Sequence, residues 1–385
     1  MAIKKNTKKR IRIALVSNSA WSAYRFRLGL LKKLKQLGFE VYVLAPTDNT
    51  SGELIREGFN FLPIPLNLYG NSPVSDLRLI WVLFKIYRKN EFDFVFHYTA
   101  KPNIYGSVAA FCTKTPSIAV TTGLGILRAR QHSLSKQLLR ILYRITGLLS
   151  KEVWFLNNED ADYFKNYKLV PASKIKIISG EGVNTVKYRP PNPPIDYSIK
   201  PIRFLFAGRL VWSKGLLELF KAAETIIDNE YDVKFSILGF VVPKHPDAVS
   251  REVIEDYDQR GIVQYLGETD DVRPFLAKTH CLLFPSYFGE GIPRILLEAA
   301  AMGIPIITTN SVGCKDIVRN KVNGLITEPR NVEDLIDKIK QFLKISPASQ
   351  REMGIKGRKM VLQKYDEKII IDRYINTLKN YLRFD

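Results

Sequence analysis

The chain has 385 residues and a mass of 44.1 kDa, with 46% apolar and 25% charged residues. This length indicates two or three domains, and the composition excludes disordered and fibrous proteins. Lysine and arginine total 58 against 38 aspartate and glutamate, which gives a net charge of +20. Residues 1–190 hold 30 basic and 12 acidic side chains, and this excess favours an anionic partner such as nucleic acid, a membrane surface or a polyanionic substrate.

Three widely spaced cysteines, Cys112, Cys281 and Cys314, give neither a disulfide framework nor a C-x2-C metal motif, which favours a reducing, cytoplasmic compartment. The basic start leads into a short apolar segment, so no signal peptide is predicted. No run of about 18 apolar residues predicts a membrane span. Any contact with a membrane is therefore predicted to be peripheral.

The first half alternates short β-branched segments with amphipathic segments, an order that predicts a parallel sheet covered by helices. Strands are predicted at 11–16, 40–44, 92–96, 117–121, 152–156 and 175–178. Helices are predicted at 23–37, 75–89, 103–111 and 133–149. These elements predict a doubly wound domain over residues 1–190.

Four prolines in the segment 189–196 predict a stiff connector and a domain boundary near residue 190. The alternation then resumes and predicts a second, similar domain over residues 191–365. Its strands are predicted at 202–206, 233–238, 262–265, 281–284 and 304–308, and its helices at 214–227 and 293–302. Residues 366–385 predict an amphipathic helix that packs back on the first domain.

The segment that follows the strand 202–206 reads Gly-Arg-Leu-Val-Trp-Ser-Lys-Gly and leads into a helix that Ser213 is expected to cap. Free N–H groups at a helix start, together with the cations Arg209 and Lys214, predict an anion site. A tight turn with solvated charges is the alternative for this segment taken alone.

A second segment places Glu290 in a loop after a buried strand and Glu298 on the next helix, whose first turn suits Pro293. Gly289 and Gly291 allow a ligand to approach the backbone. A loop carboxylate suits sugar hydroxyls, a helix carboxylate suits a ribose diol, and the N–H groups between them suit a diphosphate. Without the glycines, the proline and the earlier cations, two surface glutamates would be the better interpretation.

Together these motifs resemble the retaining glycosyltransferases of family four. That family has the GT-B fold, an α/β architecture in which two Rossmann-like doubly wound domains face each other across a cleft. The resemblance spans almost the whole chain and includes the segments 208–215, 290–298, 313–316, 323–324 and 180–184. The stretch 97–106, followed by 122–125, is similar to the branch that extends polyprenyl-diphosphate-linked oligosaccharides of bacterial glycans.

The resemblance implies roles for individual residues. Arg209 and Lys214 would bind the donor diphosphate and Glu290 the transferred sugar, so these three are the expected catalytic residues. The expected donor-binding residues are Gly208, Gly289, Gly291, Ile292, Pro293 and Glu298, the last of them on the ribose. The expected residues near the acceptor or the sugar, in the first domain, are Asn18, His97, Lys101, Thr122 and Gly123. His97 is alternatively a strand-end histidine without substrate contact.

Neither a metal nor a cofactor is predicted, since the nucleoside diphosphate sugar is a substrate. The D-x-D string at 256–258 lies in a polar helical stretch and is better interpreted as a solvated face. The resemblance implies that cations and helix dipoles stabilise the leaving diphosphate, which other transferases stabilise with a metal.

Two amphipathic helices predict where the basic domain meets a membrane. On helix 133–149, an apolar face of Leu138, Leu142, Ile145 and Leu149 lies beside a basic stripe of Lys136, Arg140 and Arg144. Helix 75–89 has a mixture of aromatic and basic residues typical of a helix among lipid headgroups, namely Trp81, Lys85, Arg88 and Lys89. For either helix alone, a core-facing helix with a solvated basic side is the alternative.

The sequence thus predicts a metal-independent, retaining hexosyltransferase. It would move a hexose, with N-acetylhexosamine favoured, from a UDP-linked donor to a polyprenyl-diphosphate-linked sugar at the inner face of the cytoplasmic membrane. The expected partners are this donor, this acceptor and an anionic membrane surface. A family member that acts on a small sugar or glucan is the nearer alternative. A nucleic-acid-binding protein would explain the charge but not the two glutamates, so nucleic acid is not an expected partner.

Overall fold

The computed structural model describes residues 10–67, 72–125, 127, 134–242 and 245–384. They form two compact units: the first contains the chain up to Glu181 and the segment from Ile370 onward, and the second contains Gly182–Ile369. Each unit is built on a parallel sheet with flanking helices. The predicted α/β architecture of two Rossmann-like domains is therefore confirmed.

The sheet of the first unit has the strand order β3-β2-β1-β4-β5-β6-β7. The strands are β1 Arg12–Val16, β2 Glu40–Ala45, β3 Asn60–Pro63, β4 Phe94–Tyr98, β5 Ser117–Thr121, β6 Glu152–Phe155 and β7 Ile175–Ile177. The described helices are Ala20–Gln36, Ser51–Arg56, Pro73–Asn90, Ser107–Cys112, Leu134–Leu149 and Asn158–Asn166, with a π-helical turn Pro102–Gly106 and a 3-10 turn Ala172–Lys174. The order reverses between β1 and β4, which is where open α/β sheets bind ligands.

The sheet of the second unit has the order β10-β9-β8-β11-β12-β13. Its strands are β8 Ile202–Ala207, β9 Val233–Leu238, β10 Gln264–Tyr265, β11 Cys281–Phe284, β12 Ile306–Thr309 and β13 Gly324–Thr327. The described helices are Leu216–Asp228, Arg251–Gln259, Arg273–Leu276, Arg294–Ala301, Val332–Lys344 and Pro347–Lys364, with a 3-10 turn Trp212–Lys214. Here the reversal point lies between β8 and β11.

The helix Glu367–Tyr381 crosses from the second unit to the first. Its Tyr374 ring lies 4.7 Å from the ring of Trp154 and 5.1 Å from that of Phe96, and it accepts a hydrogen bond from the Tyr98 hydroxyl at 3.2 Å. Buried aromatic pairs of this kind hold the end of the chain on the sheet of the first unit.

The first crossing between the units follows Glu181, nine residues before the predicted boundary at residue 190. The N–H of Val183 donates to the carbonyl of Tyr365 at 2.9 Å, and the N–H of Glu367 donates to the carbonyl of Val183 at 3.0 Å. Tyr188, at 2% exposure, belongs to the core of the second unit. Backbone pairing and apolar burial therefore set the boundary, and the prolines lie within the second unit.

Candidate active site

The two predicted segments of the second unit meet at one edge of its sheet. Strands β8 and β11 are paired in parallel, so the residues that follow them leave the sheet at the same edge. Lys214, which follows β8, forms an ion pair with Glu290, which follows β11. The structure thus joins residues that are 76 positions apart in the sequence.

Backbone contacts hold these two segments together. The carbonyl of Ser213 accepts hydrogen bonds from the N–H groups of Tyr287 and Phe288 at 3.1 and 3.2 Å. Gly215 has φ = +80°, and a Cβ at this position would collide with the carbonyl oxygen of Pro285. Glycine is therefore required here both for the conformation and for the space.

Lys214 is a buried cation, with 7% of its surface exposed. Its Nζ lies 5.1 Å from the centre of the Phe284 ring. Burial, and after it the positive charge of Arg209, lower the pKa of Lys214 to about 7, whereas the contact with Glu290 favours the ammonium form. Arg209 is half-buried, and within the described part of the chain its guanidinium has no hydrogen-bond partner. Lys214 and Arg209 are neighbouring cations, and of the two only Lys214 forms an ion pair among the described residues, so this part of the site suits an incoming anion.

This pKa gives a pH prediction. As the pH rises from 7 to 8.5, Lys214, whose pKa is about 7, loses its proton while the diphosphate of UDP stays ionised and its uracil stays neutral, so we expect the affinity for UDP to fall about tenfold. In Lys214→Arg the side chain stays charged over this range, and the pH dependence should disappear. Calorimetric titration of both proteins with UDP measures this difference. An identical pH dependence in the two proteins would contradict the assignment to Lys214.

Two N–H groups of the turn Trp212–Lys214, which precedes the helix, are already occupied. Asp247 accepts hydrogen bonds from the N–H of Trp212 through its carbonyl, and from the N–H of Ser213 through Oδ2, both at 2.9 Å. The expectation that Ser213 caps the next helix is also wrong, because the N-cap is Gly215 and no side chain caps it. The N–H groups of Trp212 and Ser213 are therefore not available to an anion, whereas the charges of Arg209 and Lys214 lie in the same segment. Sequence reasoning missed Asp247 because it lies 33 residues after Lys214 in an irregular loop.

Hydroxyl groups and a close backbone contact fix the loop that carries Glu290. The carbonyl of Ser286 accepts hydrogen bonds from the hydroxyls of Thr309 and Ser311. Gly313 has φ = +82°, and a Cβ there would lie 2.8 Å from the carbonyl oxygen of Glu290. Gly289 and Gly291, by contrast, do not have positive φ angles. The absence of a side chain at Gly313 therefore allows the backbone at Glu290 to pack closely against it.

The other predicted donor residues surround this loop. Pro293 is the N-cap of the helix Arg294–Ala301, rather than a residue of its first turn. Glu298 is 4% exposed and accepts a hydrogen bond from Arg294 Nε at 3.3 Å, so its ion-pair partner differs from that of Glu290. Ile292 is half-buried, and Gly208 directly follows β8 and donates its N–H to the carbonyl of Leu238 at 3.0 Å.

In the first unit, Asn18, Thr122 and Gly123 follow β1 and β5, the two strands on either side of β4. All three are half-buried at the carboxyl edge of the sheet. Asn18 Oδ1 accepts a hydrogen bond from the hydroxyl of Ser22 at 3.0 Å, and Gly123 has φ = +136°. These residues lie where an α/β domain of this topology receives a ligand.

His97 does not reach the surface of the first unit. It is 0% exposed, its Nε2 lies 2.9 Å from the hydroxyl of Tyr87, and Gly106 packs against its ring. Burial lowers the pKa of His97 to about 3, so the imidazole is neutral. The structure therefore favours the strand-end histidine over substrate contact.

Lys101 lies after β4 and directly precedes the π-helical turn Pro102–Gly106. Its Nζ forms an ion pair with Asp76 at 2.9 Å, and the same carboxylate accepts a hydrogen bond from the hydroxyl of Tyr105 at 2.6 Å. Lys101 thus connects the segment after β4 to the first turn of the helix Pro73–Asn90.

The helix Leu134–Leu149 faces the core with a different side from the predicted one. Tyr143, Thr146 and Gly147 are buried, whereas Leu138 and Ile145 of the predicted apolar face are 58% and 37% exposed. The reason is that the helix is apolar over much more than half of its circumference. One row of large apolar residues points to solvent, namely Leu134, Leu138, Ile141, Ile145 and Leu148.

The predicted basic stripe of this helix is only partly available. Arg140 donates two hydrogen bonds to the hydroxyl of Tyr163, at 3.0 and 2.9 Å, and stacks 3.7 Å from the ring centre of Tyr167. Lys136 is half-buried and Arg144 is exposed. Arg140 therefore has a structural partner, and that all three cations face headgroups stays a prediction.

The helix Pro73–Asn90 has the mixed surface that the sequence indicates. Trp81 is 55% exposed, and the Nζ of Lys85 lies 3.6 Å from the centre of its ring. Arg88 and Lys89 lie in the last turn of the same helix. This is the arrangement of a helix with an aromatic anchor between cations.

The described residues contain no group of three or more histidine, cysteine, aspartate or glutamate side chains that could hold a metal ion. Over the same part of the chain, no helix is long and apolar enough to cross a bilayer.

Two family models match the chain, one on each unit. The model for glycosyl transferases group 1 matches residues 197–360, and the model for glycosyl transferase 4-like proteins matches residues 12–151.

Among curated proteins, the chain is 28% identical to the N,N'-diacetylbacillosaminyl-diphospho-undecaprenol alpha-1,3-N-acetylgalactosaminyltransferase of Campylobacter jejuni, over 95% of this chain and 97% of that protein. It is 23% identical to the UDP-Gal:alpha-D-GlcNAc-diphosphoundecaprenol alpha-1,3-galactosyltransferase of Escherichia coli, over 78% of this chain and 79% of that one.

Solved structures share the fold over nearly the whole chain. Sucrose-phosphate synthase from Thermosynechococcus elongatus superposes with a TM-score of 0.80 at 18% identity, covering 96% of this chain and 99% of that one. Anabaena HepE in complex with UDP superposes with a TM-score of 0.77 at 17% identity, covering 96% and 100%. The predicted GT-B fold is confirmed by these likenesses.

Proposed function

We propose that this chain, which belongs to the glycosyltransferases that both family models describe, transfers an N-acetylhexosamine from a UDP-linked donor to a sugar on a polyprenyl diphosphate. The support for this substrate class is the similarity, over 95% and 78% of the chain, to two transferases named for undecaprenyl-diphosphate-linked acceptors. The observation that carries the proposal is the Lys214–Glu290 pair beside Arg209, because it places cations and a carboxylate at one sheet edge.

The proposed donor site uses each charge for one part of the ligand. Arg209 and Lys214 bind the diphosphate, and the ammonium of Lys214 exchanges Glu290 for a phosphate oxygen when the donor arrives. Glu290 then contacts hydroxyls of the transferred sugar, and Glu298 contacts the ribose. Burial makes these contacts strong, since charge–charge attraction is screened less there than in water.

The proposed reaction retains the anomeric configuration. The bond between the sugar C1 and the diphosphate oxygen breaks while the acceptor hydroxyl attacks from the same face, and a donor phosphate oxygen takes the proton of that hydroxyl. Arg209 and Lys214 stabilise the charge that grows on the leaving UDP. Glu290 acts as a sugar-binding group, not as a nucleophile.

The test is a matrix of donors and acceptors with the full chain. UDP-linked hexoses and N-acetylhexosamines are each incubated with a short-chain polyprenyl diphosphate disaccharide and with the free disaccharide, and mass spectrometry detects the product. We expect transfer from a UDP-N-acetylhexosamine to the lipid-linked acceptor in preference to the free sugar. Transfer to the free disaccharide at the same rate would favour the alternative, a family member that acts on small sugars.

Activity is expected to survive EDTA. The reason is that Arg209 and Lys214 supply the positive charge that a divalent cation supplies in other transferases. Initial rates are compared with EDTA, with added magnesium and with added manganese. A strict requirement for either metal would refute this prediction.

We further propose that the first unit binds the membrane through an apolar row on the helix Leu134–Leu149, hereafter the exposed row. This row consists of Leu134, Leu138, Ile141, Ile145 and Leu148, with exposures from 37% to 85%. An exposed apolar row beside cations is the surface of a helix that lies in the interface of a bilayer. The localisation that follows is peripheral, on the cytoplasmic face of the membrane where polyprenyl diphosphate acceptors are extended.

Polar substitution of the exposed row should release the protein from vesicles. Leu138→Gln with Ile141→Gln removes two side chains that are 58% and 57% exposed, so folding should be retained. We expect at least about tenfold weaker flotation with anionic liposomes, because each side chain loses its burial in lipid. The matched control is Ile355→Gln with Leu362→Gln, on a helix of the second unit, where exposures are 54% and 43%. Equal flotation of the two double variants would exclude the row as the anchor.

A further inference from the structure

A shallow cavity of about 330 Å³ lies at the end of the helix Leu134–Leu149. Its lining includes none of the proposed donor-binding or acceptor-binding residues, and it shares Arg144 and Leu148 with the proposed membrane-binding surface. Arg144, Lys165 and Lys168 supply cations to its lining, while Leu148, Leu169 and Pro171 supply apolar surface. Its lining contains no acidic side chain. The cavity therefore has the composition of a site for an anion that carries an apolar group.

The three cations have no acidic partner within the described residues. The end of the helix is already neutralised by another residue, since Lys174 Nζ donates to the carbonyls of Gly147, Leu148 and Ser150 at 3.1, 2.8 and 2.9 Å. Arg144, Lys165 and Lys168 are thus not needed to satisfy the helix carbonyls. Their charge is available to a ligand.

The cavity lies at the opposite end of the sheet from the proposed acceptor residues. The helix Leu134–Leu149 leaves the carboxyl end of β5 and returns to the amino end of β6, and its 16 residues span about 24 Å. Thr122 and Gly123 follow the carboxyl end of β5, whereas the cavity lies at the end of the helix. A phosphate bound here is therefore separate from the reacting end of an acceptor.

The exposed row leads into this cavity. Leu148, which is 62% exposed, belongs to both. A lipid with its phosphate between the cations would place its acyl chains along the row, on the side where the helix meets the bilayer. The cations and the exposed row together therefore favour a ligand that combines a phosphate with apolar chains.

We propose that this cavity binds the phosphodiester headgroup of an anionic glycerophospholipid, through Arg144, Lys165 and Lys168, and so orients the first unit on the membrane. The inference rests on the membrane association proposed above, and it adds a specific site to a general surface. Lys165 and Lys168 act in it by charge and hydrogen bonding to phosphate oxygens.

The experiment uses the full chain and dihexanoyl phosphatidylglycerol below its micelle concentration, titrated by calorimetry. We expect saturable binding with one lipid per chain, weakened at least about tenfold in Lys165→Gln with Lys168→Gln. The matched control is Lys234→Gln with Lys359→Gln, which removes two exposed lysines of the second unit. Absent saturation, or equal weakening in both double variants, would overturn the proposal.

Two further measurements are needed. The first tests whether the cavity binds a lipid or a free phosphate, and the second distinguishes lipid binding from the proposed sugar transfer. Glycerol phosphate and inorganic phosphate are titrated in parallel, and either one binding as tightly as the lipid overturns the lipid assignment. Transfer to a water-soluble acceptor should be unchanged in Lys165→Gln with Lys168→Gln, and its loss would place these lysines in the acceptor site instead. If the wild-type protein binds the lipid but transfers no sugar, the inference holds and the proposed activity fails.

Discussion

Lys214→Ala is expected to lower kcat at saturating donor by at least about a hundredfold, the usual loss when one preorganised donor to a developing anion is removed. The structure gives two reasons for so large an effect. Lys214 is buried beside Arg209, so a cation from solvent does not take its place when the side chain is removed. Its loss also removes the ammonium that forms an ion pair with Glu290, close to the bound diphosphate. Without the ammonium of Lys214 beside it, the Glu290 carboxylate repels the leaving group as its charge grows.

The control for this variant is Lys221→Ala, which removes an exposed lysine from the helix that follows Lys214. Its rate should equal that of the wild-type protein. Arg209→Ala should show a loss similar to that of Lys214→Ala, since both cations face the same anion. Thermal unfolding of each variant verifies that the fold is intact. Near-normal turnover of Lys214→Ala at saturating donor would remove it from the proposed role.

The pattern of the sequence predicts the strands that form the two cores because these are continuous apolar runs. The same pattern fails at one edge of each sheet, where the strands Asn60–Pro63 and Gly324–Thr327 are short and contain a proline or a glycine. The predicted strand 92–96 begins two residues before β4, and the shift matters, since His97 and Tyr98 are the last two residues of the strand and are both buried. Periodicity indicates which segments are buried more reliably than where each one begins.

At the candidate site, the sequence predicts residue types but not partners. That Lys214 and Glu290 meet follows from the pairing of β8 with β11, which no local pattern contains. The role of Asp247 was missed for the same reason, because its hydrogen bonds to the 212–213 turn are long-range. Conversely, Arg140 lies in a regular basic stripe, and only the structure shows that Tyr163 and Tyr167 engage it. Charge patterns on a helix therefore do not reveal which charges are already in use.

Substitutions of the two glutamates of the site are expected to change different kinetic parameters. Glu298→Gln should weaken donor binding by about 10- to 100-fold with little change in kcat, because the ribose contact is the same in the ground state and the transition state. Glu290→Gln should mainly lower kcat, because its contact is to the sugar, where charge and shape change during transfer. Their separate ion pairs, Glu290 with Lys214 and Glu298 with Arg294, are consistent with separate roles.

A modified donor makes the distinction sharp. With a UDP-sugar that lacks both ribose hydroxyls, wild-type affinity should fall to that of Glu298→Gln, and the variant should lose nothing further, since the contact is already absent. Glu290→Gln should lose affinity for this donor by the same factor as the wild type. If Glu298→Gln also weakens binding of the modified donor, Glu298 acts through Arg294 and the helix rather than on the ribose. If Glu290→Gln changes only donor affinity and leaves kcat intact, the assignment of that carboxylate to the transferred sugar is wrong.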